Sequence, residues 1–287
     1  MPVRFIAEVS SNHHGSLDRC LRFIETAADL DCDAVKFQLF KIDQLFAPEI
    51  LSRSEPHRKR AEWELPVAYL QPLASRCKEV GIEFGCTPFY LDAVEELLPY
   101  VDFYKIASYE LLRNDLLKAC ARTGKPVVIS TGMATLAEVQ AAVSVLRKAG
   151  CNDPTVLHCV SGYPTPVGEA NLSAIKTIRE ATDCSSGWSD HSRNAGVIHR
   201  AIHHWNAEVI EFHLDLEGTG DEFKSGHCWL PEEIGSVIAS VRAGFFADGN
   251  GIKSPAQAEI SDREWRADPS DGLRPFKDVR ASWGESG

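Results

Sequence analysis

The sequence predicts a closed (β/α)8 barrel, the TIM-barrel fold, with a short C-terminal tail. Short runs rich in β-branched and aromatic residues alternate eight times with longer helical patterns. Strict β/α alternation implies a parallel sheet, and eight units in about 250 residues suit a closed barrel. No G-x-G-x-x-G segment follows the first predicted strand, which argues against a dinucleotide-binding open sheet.

The eight predicted strands are Phe5–Val9, Ala34–Gln38, Ile82–Thr87, Phe103–Ala107, Val127–Ser130, Thr155–Val160, Cys184–Ser189 and Val209–His213. The predicted helices are Leu17–Leu30, Val67–Val80, Leu91–Leu98, Asn114–Thr123, Leu136–Ala149, Leu172–Ala181, Ala195–His204 and Pro231–Phe246. Gly81, Gly124 and Gly150 follow helices as C′ glycines, and Thr135 is placed as an N-cap. Residues 41–65 are predicted to form a long charged loop. We therefore expect a catalytic barrel domain at 1–249 and a tail at 250–287.

Composition narrows the class of protein. Of 287 residues, 44% are hydrophobic and 25% are charged, and the formal net charge is −11. An acidic chain is a poor partner for nucleic acid or for an anionic membrane surface. The sequence has no apolar run of about 18 residues, so it predicts no membrane span. Its first residues predict a strand instead of a signal peptide. The nine cysteines never form C-x-x-C, so we expect reduced thiols and a cytoplasmic protein.

Polar residues stand where the predicted strands end, which is where barrels of this class place their active sites. Lys36 and Lys105 lie inside apolar strands, where a lysine is costly unless an anion or a carboxylate meets it. A structural salt bridge is the alternative for each lysine. With the hydroxyls of Thr87, Ser130 and Ser189, the two lysines predict a phosphate-binding site.

Two histidines end neighbouring strands. His191 and His213 follow the seventh and eighth strands, and imidazole suits first-row metals such as Mn, Fe or Zn. We predict a divalent metal between them, with Asp190 and Glu211 orienting the rings. A buried core histidine is the alternative for either one alone.

Eight ordered stretches carry a resemblance to a known family: IAEVSSNHHG at 6–15, DAVKFQ at 33–38, CTPF at 86–89, YKIASYE at 104–110, GKPVVISTGMAT at 124–135, HCVSGYPTP at 158–166, WSDH at 188–191 and VIEFH at 209–213. Together they resemble the sialic acid synthase family, which comprises N-acetylneuraminate synthase and its relatives. The resemblance covers roughly residues 5–215. It implies condensation of phosphoenolpyruvate with the aldehyde of an N-acyl hexosamine such as N-acetylmannosamine, assisted by a divalent metal, usually Mn²⁺.

The resemblance also implies a role for each matching residue. The residues implied to hold phosphoenolpyruvate are Lys36, Thr87, Lys105, Ser108, Ser130, Ser161 and Ser189. Glu8, Lys36, Lys105 and Tyr163 are the implied catalytic residues, and His191 and His213 the implied metal ligands. Gln38, Glu110 and Tyr163 would line the sugar site.

The chain departs from the family pattern in two places, both on the sugar side. Family members continue into an antifreeze-like domain that reaches over the partner subunit's active site and supplies an arginine; this implies a homodimer, but here only the tail follows the barrel. We expect the loop at 41–65 and the segment at 217–229 to close the site, with the tail as a further candidate. Arg263, Arg266 and Arg274 of the tail could replace the missing arginine; the alternative is that they are ordinary solvated arginines. The family's G-P-D motif is replaced by EGTGDEFKSGHCWLP at 217–231, where Asp221 or His227 is predicted to contact the sugar.

Two other functions remain open at this stage. The first is synthesis of a 3-deoxy-sugar-acid phosphate from a phosphorylated aldose, for which Arg53, Arg58, Lys59 or Arg60 would bind the second phosphate. The second is a non-catalytic barrel that binds a metal or a sugar.

Overall fold

The computed structural model describes residues 3–283, and eight parallel strands close into a barrel. Each strand pairs with its neighbours in the sequence, and the last pairs with the first. The strands are β1 Arg4–Glu8, β2 Ala34–Leu39, β3 Glu83–Pro88, β4 Phe103–Ile106, β5 Val127–Ser130, β6 Thr155–Cys159, β7 Ser186–Asp190 and β8 Val209–His213. The predicted (β/α)8 fold is confirmed.

The α-helices are α1 Leu17–Asp29, α2 Ile42–Leu45, α3 Pro48–Arg53, α4 Glu55–Lys59, α5 Leu70–Val80, α6 Leu91–Leu97, α7 Asn114–Arg122, α8 Leu136–Lys148, α9 Ala174–Thr182, α10 Ala195–His203, α11 Asp221–Lys224, α12 Pro231–Ala247 and α13 Lys277–Ala281. Short 3-10 helices cover Arg60–Trp63, Val67–Tyr69, Ser108–Glu110, Val167–Glu169, Gln257–Glu259 and Arg263–Trp265. The predicted loop at 41–65 therefore holds α2, α3, α4 and a 3-10 turn.

Local signals set some of the helix ends. Thr135 caps α8 in a capping box, because its side chain accepts the Glu138 N–H while Glu138 accepts the Thr135 N–H. Gly81 ends α5 in the left-handed conformation with φ +80°, which glycine adopts without strain. Outside the barrel, α1 buries Phe23 and Ile24 among the hydrophobic residues between strands and helices.

Two layers of side chains fill the barrel. Every second residue of a strand points inward, so each strand contributes one residue to each layer. The lower layer is an apolar cluster of Ile6, Ala34, Phe103, Val128, Leu157 and Val209. β3 and β7 contribute glycines at this level. An added Cβ at Gly85 would lie 2.2 Å from the Phe103 ring, and one at Gly187 would lie 2.1 Å from the Val209 carbonyl oxygen. Only glycine fits these two positions.

Two residues further along each strand the interior becomes polar. This upper layer consists of Glu8, Lys36, Thr87, Lys105, Ser130, Cys159, Ser189 and Glu211. The strand register places Glu8 beside Lys36 on one side and beside His213 on the other. The upper layer lies at the carboxyl ends of the strands, where the predicted site residues meet.

The chain divides into two compact units between Phe245 and Phe246. The first unit holds the barrel. In the second, Trp265 packs edge-on against Trp283, and Arg280 pairs with Asp271 at 2.7 Å. The predicted division at 249/250 remains a prediction. No helix within residues 3–283 is long and apolar enough to cross a membrane.

Candidate active site

A small cavity of about 70 Å³ lies at the upper layer of the barrel. It gathers all four predicted catalytic residues, both predicted metal ligands and most of the predicted anion-binding residues. Its lining includes Glu8, Lys36, Gln38, Thr87, Lys105, Ser108, Ser130, Tyr163, Ser189, His191, Glu211 and His213. The sequence therefore predicted most of the polar wall of this cavity.

Lys36 is buried and has three polar neighbours. Its ammonium group pairs with Glu8, donates to the Thr87 hydroxyl at 3.2 Å and lies 3.8 Å from Glu211. Burial lowers the pKa of Lys36 to about 8, although the Glu211 charge opposes that shift. Near pH 7 the side chain remains mostly protonated, so it can attract an anion.

Lys105 approaches the same carboxylate from the other side. Its ammonium nitrogen lies 3.4 Å from Oε1 of Glu211, which also accepts the Ser189 hydroxyl at 2.9 Å. Burial acts to raise the pKa of Glu211, but Lys105 and Lys36 outweigh it and lower that pKa. Glu211 is thus an ionised carboxylate between two lysines, and the prediction that it orients a histidine ring is wrong.

The predicted hydroxyl donors separate into two groups. Ser130 lines the small cavity, and its buried hydroxyl has no hydrogen-bond partner among the described residues. Ser108 accepts the Gly132 N–H at 2.9 Å. Ser161 instead lines a separate cavity of about 510 Å³ with residues of α8 and α9. Ser161 therefore lines a different cavity from the other predicted anion-binding residues, although its hydroxyl packs beside Gly132 close to Ser108.

A larger cavity of about 830 Å³ adjoins the small one, and Gln38, Tyr163 and His213 line both. It includes every residue predicted to contact the sugar: Gln38, Glu110, Tyr163, Asp221 and His227. Its outer wall is aromatic and comes partly from the 41–65 segment. The Arg60 guanidinium lies 5.6 Å from the Phe46 ring and 5.4 Å from the Trp63 ring.

Glu110 is the buried acid of this larger cavity. Burial raises its pKa to about 7, against the opposing charges of Arg113 and Lys105. One of its carboxylate oxygens has no hydrogen-bond partner among residues 3–283. Glu110 can therefore present a protonated carboxyl group to a ligand near neutral pH.

Tyr163 and three histidines form a cluster where the two cavities meet. The centroid of the Tyr163 ring lies 4.3 Å from the ring centroid of His191 and 4.9 Å from that of His227. The ring centroids of His191 and His213 are 5.2 Å apart. The Nδ1 atom of His191 is 2.8 Å from the Val160 carbonyl oxygen, and this contact fixes the ring. Burial lowers the pKa of His191 and of His227 to about 3, so both rings are neutral near pH 7.

Asp190 does not orient His191, so that prediction is wrong. Its carboxylate accepts the indole N–H groups of Trp188 at 2.9 Å and Trp229 at 3.0 Å, and the Ser192 hydroxyl at 2.6 Å. It is fully buried. Asp190 therefore fastens the end of β7 to the segment that follows β8.

Sequence reasoning missed Glu222 and Cys228. Donor atoms of His213, Glu222, His227 and Cys228 all lie within 4.8 Å of one another, an arrangement that could hold a metal ion. Of the two predicted metal ligands, only His213 belongs to this group. The only sequence signal for this group is the GHCW stretch at 226–229, with its adjacent histidine and cysteine. Sequence spacing does not show that this stretch lies next to the end of β8.

The fold and these cavities define a (β/α)8-barrel enzyme with a lysine-containing polar site at the carboxyl ends of its strands. A family model described as the NeuB family matches residues 23–253. An uncharacterized protein of Methanocaldococcus jannaschii is 34% identical over 90% of this chain and 75% of its own length. The N,N'-diacetyllegionaminic acid synthase of Campylobacter jejuni is 32% identical over 88% of this chain and 80% of its own length.

A solved structure agrees with these relatives. The sialic acid synthetase of Leptospira borgpetersenii, in complex with citrate, superposes with a TM-score of 0.80 at 30% identity, covering 94% of this chain and 93% of that chain. The chain belongs to the NeuB family. It is accordingly an enzyme of the phosphoenolpyruvate-dependent sugar-acid synthase class.

Proposed function

We propose that this enzyme joins phosphoenolpyruvate to the aldehyde of an unphosphorylated N-acyl hexosamine such as N-acetylmannosamine, releasing phosphate and a nonulosonic acid. The observation that carries the proposal is the pair of adjoining cavities. One is small and contains two lysines; the other is large and partly aromatic. A compact anion and a sugar would thus meet where the cavities join, at Tyr163 and His213.

The small cavity is the proposed phosphoenolpyruvate site. Lys36 and Lys105 would bind the anionic groups, and Thr87, Ser108, Ser130 and Ser189 would donate hydrogen bonds. Glu8 and Glu211 already pair with these lysines, so the cavity is balanced in charge before the substrate enters. Additional positive charge near the site would therefore strengthen binding. Ser161 packs against Gly132 beside Ser108 but lines only the neighbouring cavity, so its contact with phosphoenolpyruvate remains a prediction.

Glu8 is the proposed proton carrier. One of its oxygens accepts the Ser10 N–H at 2.6 Å and the Gln38 amide at 3.2 Å, while the other pairs with Lys36. In the proposed reaction C3 of the enol attacks the aldehyde carbon, water adds at C2, and the tetrahedral intermediate expels phosphate. Glu8 and Lys36 together would transfer the proton that the new hydroxyl requires. Tyr163 would position the acceptor.

The residues present fit a divalent cation. The buried Nδ1 of His213 has no hydrogen-bond partner within residues 3–283, and His191 carries a neutral ring beside it. Neutral imidazole is the form that binds first-row metals. We propose His191 and His213 as ligands and Mn²⁺ as the ion. When bound, the cation would polarise the acceptor carbonyl and add positive charge beside the substrate.

The larger cavity favours an uncharged acceptor over a phosphorylated aldose. Of the four basic residues considered for a second phosphate, only Arg60 lines the cavity. Arg58 donates to the Leu51 carbonyl at 2.6 Å, and Lys59 pairs with Glu55 at 3.0 Å. Aromatic rings and one stacked guanidinium suit the apolar face and N-acyl group of an amino sugar. A homodimer and a cytoplasmic location remain predictions.

The test is a measurement of phosphate release with phosphoenolpyruvate and three acceptors. N-Acetylmannosamine should support turnover best, its 6-phosphate should be poor, and arabinose 5-phosphate should be inactive. Mass spectrometry of the product would identify the acid. Turnover that favours either phosphorylated sugar would refute the acceptor, while leaving the phosphoenolpyruvate half of the proposal intact.

A further inference from the structure

The segment after β8 folds back onto the end of that strand. The Trp229 N–H donates to the His213 carbonyl at 2.8 Å, and the Asp215 N–H donates to the Trp229 carbonyl at 2.9 Å. Trp229 is further held by Asp190. This return path brings Glu222, at the second position of α11, and His227 beside the strand-end His213. Two main-chain hydrogen bonds, which form a parallel bridge between Leu214 and Trp229, therefore bring the three side chains together.

Glu222 is held by only one of its two carboxylate oxygens. Oε1 accepts the hydroxyls of Ser10 and Ser11 at 2.6 Å each, and the Ser11 N–H at 3.3 Å. The other oxygen, Oε2, faces the histidines, 3.4 Å from Nδ1 of His213 and 4.0 Å from Nε2 of His227. The β1 loop thus fixes the carboxylate and leaves Oε2 free.

Several buried polar atoms of this cluster lack a partner in the described chain. Oε2 of Glu222 and Nδ1 of His213 have no hydrogen-bond partner in the described chain, and on His227 it is Nε2 that faces the same Oε2, at 4.0 Å. A single His–Glu ion pair would explain one histidine but not two. A cation bound by Oε2 of Glu222, Nδ1 of His213 and Nε2 of His227 would explain why these three atoms converge. Two imidazoles with one carboxylate are a common set for divalent first-row metals.

Cys228 also lies within the cluster, but its sulfur has another role. It accepts the Asn12 amide at 3.6 Å and is fully buried. Asn12 also donates to the Leu214 carbonyl at 2.9 Å, so the thiol and the amide together secure the segment. This cluster therefore offers two nitrogens and one oxygen to a cation, without the thiol.

We propose that Glu222 and His227 bind the divalent cation together with His213. The inference rests on the proposed function for the presence of a cation in this site. It goes beyond the two strand-end histidines, because it assigns ligands to the segment at 217–231 that replaces the family's G-P-D motif. Glu222, His213 and His227 all line the larger cavity, so the cation would face the acceptor.

The test measures metal binding and does not depend on turnover. Protein freed of metal by a chelator is titrated with Mn²⁺, and unbound Mn²⁺ is followed by electron paramagnetic resonance. Glu222→Gln and His227→Ala should each weaken Mn²⁺ binding at least about tenfold, the scale on which metal sites respond to lost contacts. Glu232→Gln is the matched control: it removes an exposed carboxylate in the first turn of α12 and should bind Mn²⁺ as the parent does.

A second variant separates ligation from structural support. Glu222→His replaces an oxygen donor by a nitrogen donor, so it should retain Zn²⁺ while losing affinity for Mn²⁺, which prefers oxygen. A residue that only supports the fold would not change this preference. Parent-like Mn²⁺ affinity in folded Glu222→Gln and His227→Ala, or an unchanged Mn²⁺/Zn²⁺ preference in Glu222→His, would overturn the inference. Condensation of phosphoenolpyruvate with N-acetylmannosamine by the parent would still establish the proposed function.

Discussion

The ammonium group of Lys105 lies 3.4 Å from the carboxylate of Glu211, and both side chains are buried. Lys36 approaches the other oxygen of Glu211 at 3.8 Å. One carboxylate therefore holds two ammonium groups in place before any anion arrives. Such a pre-arranged pair lowers the entropy lost when a substrate binds, because neither lysine must be ordered again.

Replacing either lysine by methionine should weaken phosphoenolpyruvate binding. Lys36→Met and Lys105→Met keep much of the aliphatic stem but remove a charge-assisted contact, which is worth about 1.5–3 kcal/mol, or roughly a 10–150-fold loss of affinity. Calorimetric titration with phosphoenolpyruvate measures the loss. Lys118→Met, which removes an exposed charge on α7, is the control and should bind as the parent does. Unchanged affinity in both buried variants would contradict the assigned site.

The pKa of Lys36 predicts how binding responds to pH. Burial lowers it to about 8, so the ammonium form is present below that pH and is lost above it. Phosphoenolpyruvate affinity should therefore fall as the pH rises through about 8. Lys36→Arg, if it still binds, should shift the fall to higher pH because the guanidinium stays charged. Calorimetry between pH 6.5 and 9.5 checks this; a flat profile in the parent would argue against a role for Lys36.

Most of the fold and most of the site could be predicted because both follow from the period of two along a strand. Residues such as Lys36 and Lys105 stand two positions beyond apolar residues of the lower layer, so sequence spacing alone places them on the inner face. Glu211 obeys the same rule. Spacing shows which face of the strand Glu211 lies on, but not which neighbour across the barrel it contacts. The prediction that Glu211 orients a histidine ring is wrong for this reason.

Loops could not be predicted in the same way. Glu222 meets His213 only because main-chain hydrogen bonds at Trp229 fold the segment back on β8, and no local pattern encodes that return. The segment at 41–65 gave a composition typical of a loop, yet short helices bring Phe46 and Trp63 to the cavity wall. In both places tertiary contacts decide the geometry.

The aromatic wall should affect the acceptor more than phosphoenolpyruvate. Trp63→Ala removes a ring that lines only the larger cavity, so it should raise the KM for N-acetylmannosamine severalfold and leave phosphoenolpyruvate affinity unchanged. Steady-state phosphate release with each substrate varied in turn measures the two effects. Val67→Ala, an exposed apolar truncation nearby in sequence, is the control. Equal losses for both substrates would mean that the ring supports the fold and not the acceptor.

Glu110 should make stability depend on pH. Its pKa is raised by burial from the ordinary 4.5 to about 7, so the folded chain binds more protons than the unfolded chain between these values. Stability should therefore fall as the pH rises through that window, by at most about 3 kcal/mol. Glu110→Gln should remove this dependence and be the more stable protein at pH 8. Urea unfolding of the parent and of Glu110→Gln at pH 5 and pH 8 measures this effect. The same difference in the free energy of unfolding between the two proteins at both pH values would rule out the titration of Glu110.

Removing residues 250–287 tests both the domain boundary and the tail. The barrel unit is compact up to Phe245, and α12 ends at Ala247, so truncation after Gly249 leaves every barrel element intact. The truncated chain should therefore fold and bind phosphoenolpyruvate as the full chain does. Because the resemblance to the sialic acid synthases implies an arginine that reaches the sugar from beyond the barrel, we expect turnover with N-acetylmannosamine to fall sharply. Full-length variants Arg263→Ala, Arg266→Ala and Arg274→Ala would show which arginine is responsible. If the truncated protein turns over at the full-length rate, the tail has no part in catalysis, and the residues of the barrel and its loops hold the acceptor.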